Sequence, residues 1–139
     1  MATIKFYSEK ILFKLPNPRK TANWLKNVCL RENHKLDSLT YIFCSDEYLR
    51  VMNKQYLNHS SYTDILSFDY SDGRKILGEI YISIPRVREN AKSFQQSFNV
   101  ELRRVIIHGL LHFMGYNDKH SRQKAQMRRK EEACLSLWK

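Results

Sequence analysis

The stretch ELRRVIIHGLLHFM, Glu101–Met114, is apolar on nearly every side from Val105 onward. A helix of that kind has no face to give to water and belongs in the middle of a core. Two residues break the pattern, His108 and His112, one helical turn apart. At i and i+4 they share a face, about 6 Å apart along the axis. Burying two imidazoles costs free energy unless each has a partner. One divalent ion partners both at once. Gly115 reads as the stop of the helix. The turn beyond it carries Asp118 and His120, so the chain can double back and deliver a third donor. The chain has five histidines, so a pair at this spacing is weak by itself. The apolar setting and the carboxylate in the turn give it weight. Histidine nitrogens plus one further N or O donor suit zinc best, although nickel, copper or manganese also fit such a set. Three protein donors leave a fourth position for water, as in catalytic rather than structural sites. Position 109 is Gly, where HExxH zinc proteases carry their general-base Glu, which argues against peptide hydrolysis.

Outward from this helix the chain reads as a regular alternation. Ile4–Ser8 alternates weakly and suits an edge strand. Leu15-Pro16-Asn17-Pro18 is a stop signal, after which Thr21 is expected to cap a helix running to about Asn33. Ser38–Cys44 is β-branched and aromatic, a strand. Ser45 or Asp46 caps a second helix, with Leu49, Met52 and Tyr56 at helical spacing. Ile65–Tyr70 and Leu77–Ile84 flank the turn Ser71-Asp72-Gly73, so an antiparallel hairpin is expected. Pro85 opens a helix holding Val87, Ala91 and Phe94, and a break near Phe98-Asn99 precedes the central one. Ser121 is expected to cap a last, strongly charged helix reaching about Trp138. The order β-α-β-α-β-β-α-α-α predicts an α+β fold, a small mixed β-sheet packed around a buried central helix with several outer helices.

Composition narrows the function. At 139 residues the chain fits one domain with one core. Hydrophobic residues are 42% and charged residues 27%, a globular balance rather than a disordered one. No apolar run reaches the roughly 18 residues of a membrane span, and the start, MATIKFYSEK, lacks the features of a signal peptide. Three scattered cysteines, Cys29, Cys44 and Cys134, suit a reducing compartment better than a disulfide framework. Lys and Arg total 24 against 14 acidic residues, a net charge of +10 that favours a polyanionic partner.

Three blocks then carry a resemblance. HGLLHFMGY, His108–Tyr116, closely resembles the HGxLHLxGYDH signature of the YbeY family of bacterial endoribonucleases. Asn53, Tyr56 and the run Thr63-Asp64-Ile-Leu-Ser67-Phe68 resemble that family's N-x-x-Y-R…T-D-V-L-S-F. LGEIYIS, Leu77–Ser83, is similar to its L-G-D-I-x-I-S strand. The blocks keep family order across nearly the whole chain, 1–139. The resemblance implies one α+β domain holding one zinc ion and cleaving single-stranded RNA. It further implies a cytoplasmic role in 16S ribosomal RNA 3′-end maturation and ribosome quality control, with the small ribosomal subunit as partner and no DNA substrate.

Two positions depart from the family. Its third ligand is a histidine six residues after the second; that register holds Asp118, and His120 lies two further on. The implied ligands are therefore His108, His112 and Asp118, with His120 as the alternative third. A carboxylate donor adds negative charge, so water at the ion is less acidified than at a three-histidine site. At Leu57 the family usually has an arginine thought to act on RNA, and leucine cannot contact a phosphate. Lys54 and His59 flank the gap and, with Arg103 and Arg104, are the candidates for RNA contact. The charged tail, Lys119 to Glu132, otherwise reads as a solvated face with pairs such as Arg128 and Glu132. Thr63-Asp64 could brace a loop or accept from a ligand histidine. Tyr48, Tyr56, Tyr62 and Phe68 could stack on bases, although their spacing suits the core better. Leu57 also leaves room for a second reading, a non-catalytic RNA-binding assembly factor with a structural zinc.

Overall fold

The computed structural model describes residues 2–57 and 62–139. Its elements run β1 (Thr3–Glu9), α1 (Pro18–Arg31), β2 (Lys35–Cys44), α2 (Asp46–Leu57), β3 (Ile65–Asp69), β4 (Lys75–Ser83), α3 (Ile84–Ser93), α4 (Phe98–Phe113) and α5 (Ser121–Leu135). The order is the one expected, and the fold is α+β. The four strands form one mixed sheet in the order β1-β2-β4-β3. β1 and β2 pair in parallel, as do β2 and β4, while β3 and β4 form the antiparallel hairpin.

Period-two alternation sends the two faces of the sheet to different helices. Leu39, Tyr41 and Phe43 of β2 join Ile76, Ile80 and Ile82 of β4 in the main core, with α1, α4 and α5. Cys44, Leu66, Phe68 and Tyr81 point the other way, to Leu49, Tyr48 and Met52 of α2. Helix α4 lies at the centre: Ile106, Ile107, Leu110 and Leu111 are fully buried. The Tyr41 hydroxyl donates to the Ile106 carbonyl (2.8 Å), pinning the helix to the sheet. The Trp24 indole N–H donates to the Cys134 carbonyl (2.8 Å) and ties α1 to the end of α5. The three cysteines are free and buried. Burial pushes Cys29 and Cys44 up to about 12 and Cys134 to about 11, so none is a reactive thiolate near neutral pH.

Several helix ends differ from their sequence reading, each for a local reason. α1 starts at Pro18, after Asn17 in the left-handed region (φ 52°). Proline suits a first turn because its missing N–H is not needed there. Thr21 is therefore inside the helix, buried, its hydroxyl donating to the Asn17 carbonyl (3.0 Å) rather than capping. The Ser97 hydroxyl accepts from Val100 N–H (3.2 Å), so α4 begins at Phe98, three residues early. His120, not Ser121, is the cap residue of α5. That helix ends at Leu135, which frees Trp138 to pack edge-on against Trp24 (5.4 Å). Ser45 is the cap of α2: its hydroxyl accepts from Tyr48 N–H (3.1 Å).

Two glycines set how closely layers approach. A Cβ on Gly78 would lie 2.5 Å from the Phe68 carbonyl oxygen and 2.6 Å from the Phe113 ring. A Cβ on Gly109 would meet only the flexible ends of Ile80 (2.9 Å) and Ile65 (3.0 Å). Gly78→Ala is therefore expected to cost about 1–3 kcal/mol by overpacking. Gly109→Ala should cost less, because alanine favours helix by about 1 kcal/mol over glycine. Urea unfolding midpoints of the two variants check this order.

Candidate metal centre

One stripe of α4 carries all of its buried polar chemistry. Glu101, Arg104, His108 and His112 recur at helical spacing, and Arg104 and His108 reach Glu131 of α5. Beyond His112 the helix stops at Gly115, whose φ of +100° is readily accessible to glycine, and Gly115 N–H donates back to the His112 carbonyl (3.0 Å). The reversal brings Asp118 over the two imidazoles. His108 Nε2 lies 3.1 Å from His112 Nε2 and 3.3 Å from Asp118 Oδ2, and His112 Nε2 lies 3.5 Å from the same oxygen.

These distances test whether the residues fit an ion. Tetrahedral coordination at bond lengths of ~2.0–2.1 Å puts neighbouring donor atoms ~3.3–3.4 Å apart. All three observed separations fall around that value, so His108, His112 and Asp118 could hold one metal ion. Side-chain exposure rises from 16% at His108 to 30% at His112 and 40% at Asp118, so the group opens to solvent on the Asp118 side. His120 stands outside the group. It is exposed at the start of α5, where its backbone N–H donates to Gln123 Oε1 (3.2 Å). Gly109, the position of a protease general base, faces Ile80 and Ile65 of the sheet, so a side chain there would point away from the donors.

Glu131 is the residue that sequence reasoning missed. It is buried in the core with Met127 and Cys134 of α5, and its Oε2 accepts from His108 Nδ1 at 2.6 Å. A signal existed: Met127, Glu131 and Cys134 follow the i, i+4, i+7 spacing of an apolar stripe, and a carboxylate inside such a stripe needs a buried partner. No ion pair joins Arg128 to Glu132 among the described residues. Arg104 also differs from its sequence reading. Its guanidinium forms a bidentate pair with Glu101 (3.0 and 2.5 Å) and reaches Glu131 (3.2 Å), and these carboxylates hold its pKa above the usual arginine value. Those bonds commit it to the interior, away from any phosphate. Arg103 lies over the Trp138 ring (4.7 Å). Lys54 is exposed in the last turn of α2, near exposed Leu57, and His59 falls outside the described residues.

Thr63 and Asp64 brace the approach to β3. The Thr63 hydroxyl donates to the Ile65 carbonyl (3.3 Å), and the Asp64 carboxylate accepts from Asn90 Nδ2 (3.3 Å). Burial pushes the Asp64 carboxyl above its usual range, against the pull of Arg104 and His108. Tyr48 and Phe68 are half-buried under α2, whereas Tyr56 and Tyr62 are exposed. Tyr56 meets Phe68 edge-on (5.7 Å), and Tyr62 lies against Arg86 (5.2 Å) and Arg50 (5.8 Å).

The family model described as Endoribonuclease YbeY matches residues 4–139. A Flavobacterium psychrophilum protein named Endoribonuclease YbeY is 48% identical over 132 residues, covering 95% of this chain and 94% of the relative. A Christiangramia forsetii protein of the same name is 47% identical over 135 residues, 97% of this chain and 94% of the relative. A solution structure from Thermotoga maritima superposes with a TM-score of 0.69 at 25% identity, covering 97% of this chain and 88% of that one.

Metal analysis of the purified protein checks the donor set. Near-stoichiometric metal, lost on Asp118→Ala and kept on His120→Ala, is the expected outcome.

Proposed function

Because this chain belongs to the YbeY family of endoribonucleases, we propose that it is a hydrolase of RNA phosphodiester bonds, dependent on one zinc ion, acting on single strands. Its substrate is 16S ribosomal RNA near its 3′ end, met in the cytoplasm on the small ribosomal subunit, where cleavage serves maturation and quality control. Residues 1–139 form one domain for this task. The observation that carries the reading is the triangle of His108 Nε2, His112 Nε2 and Asp118 Oδ2, with sides of 3.1, 3.3 and 3.5 Å.

Two borderline imidazole donors beside one hard carboxylate favour zinc over magnesium or calcium, which take oxygen cages. When bound, the ion supplies a Lewis acid that offsets phosphoryl charge and brings the pKa of water toward neutrality. His108, His112 and Asp118 would hold it. The chain's own cations supply the sequence-independent part of RNA affinity: with a net charge of +10, binding weakens steeply as salt rises. Lys54, Arg103 and His59 are the proposed contacts to the strand, and Arg104 acts within the protein. No helix among the described residues is long and apolar enough to cross a membrane.

Leu57 favours a second reading. It is 49% exposed at the end of α2, where the family usually has an arginine, and no guanidinium replaces it at that position. Binding without cleavage would then be the activity, with a structural metal. One experiment separates the two. Incubated with a labelled single-stranded RNA, the purified protein is expected to cleave, and chelator is expected to abolish cleavage. His112→Ala should lower the rate by roughly a hundredfold or more, because losing the ion removes several kcal/mol of charge stabilisation. Retention of the RNA without cleavage supports the assembly factor instead.

A further inference from the structure

A buried charged cluster lies beside the donor triangle. It consists of Glu101, Arg104 and Glu131, two carboxylates and one guanidinium, with both carboxylate side chains almost fully buried (2% and 3% exposed). Buried charges of this kind are costly unless paired and fully hydrogen-bonded. Arg104 satisfies both oxygens of Glu101 and one of Glu131. The other oxygen of Glu131 is left for His108 Nδ1, at 2.6 Å.

We propose that Glu131 is the positioning residue of the metal centre. Its carboxylate accepts a hydrogen bond from His108 Nδ1–H, fixes the imidazole as the Nδ1–H tautomer and leaves Nε2 with its lone pair aimed at His112 and Asp118. Arg104, braced by Glu101, holds that carboxylate in place through its 3.2 Å bond to the other oxygen. A ligand histidine oriented by a carboxylate is the better donor, and its ring no longer has to be ordered when the ion arrives. Because Glu131 belongs to α5 and His108 to α4, the docking of the last helix completes the site. This inference rests on the metal-binding reading of His108, His112 and Asp118.

Zinc titration against a competing chelator tests it, using the full chain. Glu131→Gln is expected to lower zinc affinity by about 10–100-fold, Glu131→Ala by more, and exposed Glu132→Gln not at all. Glu131→Gln with the parent's circular dichroism and parental zinc affinity would overturn the proposal. Should the variant fold poorly, the parent decides the matter: a long-range proton–nitrogen spectrum of the zinc-loaded protein is expected to show His108 protonated at Nδ1. A His108 ring bound to zinc through Nδ1 would also overturn it. A parent chain that takes up no zinc would overturn the metal-centre reading itself, and this inference with it.

Discussion

Helix α4 carries two incompatible faces, and the rest of the molecule is arranged to satisfy both. One face is apolar and packs on β3 and β4, with Gly109 letting the axis approach Ile80 and Ile65 closely. The other face carries Glu101, Arg104, His108 and His112, running from the buried Glu101 to the half-buried His112. A charged stripe cannot be left in a low-dielectric setting without partners, because the desolvation of each ion costs several kcal/mol. α5 supplies the missing partner by burying Glu131 against Arg104 and His108. The docking of α5 is thus as much an electrostatic requirement as a hydrophobic one.

The surrounding braces keep that docking in register. Glu32, at the end of α1, accepts from the Tyr116 hydroxyl (2.7 Å) and from Lys130 Nζ (2.7 Å). These partners pull the Glu32 carboxyl below its usual range against the opposing effect of burial. One carboxylate thereby ties together α1, the turn that delivers Asp118, and α5. Trp24 repeats the link further along through the Cys134 carbonyl. Rigid placement matters at such a site, because donor atoms must sit within a few tenths of an ångström of the coordination distance before the ion arrives.

The positive charge of the chain is divided between two uses. Arg104 is an internal strut, and Arg86 likewise bonds Asp46 (2.7 Å) at the start of α2. Other cations, Lys54 among them, stay at the surface. Net charge therefore overstates the number of groups free to meet a phosphate, and the count alone could not tell strut from contact. The same holds for the tyrosines: Tyr48 is packed beside Tyr81 (6.5 Å), while Tyr56 and Tyr62 keep more than half their surface exposed.

The sequence by itself determined the element order, the hairpin at Ser71-Asp72-Gly73, the central helix and the pairing of His108 with His112. All of these follow from local periodicity and turn chemistry, which a few neighbouring residues specify. Capping was less legible: Thr21 has the chemistry of a cap, yet Pro18 and the left-handed Asn17 start the helix sooner. Sheet order, the placement of Asp118 rather than His120 beside the imidazoles, and the roles of Glu131 and Arg104 were decided only by the tertiary structure. His108 and Glu131 are 23 residues apart and on different helices. Their contact depends on how two helices pack, and side-chain spacing along either helix carries no record of the other.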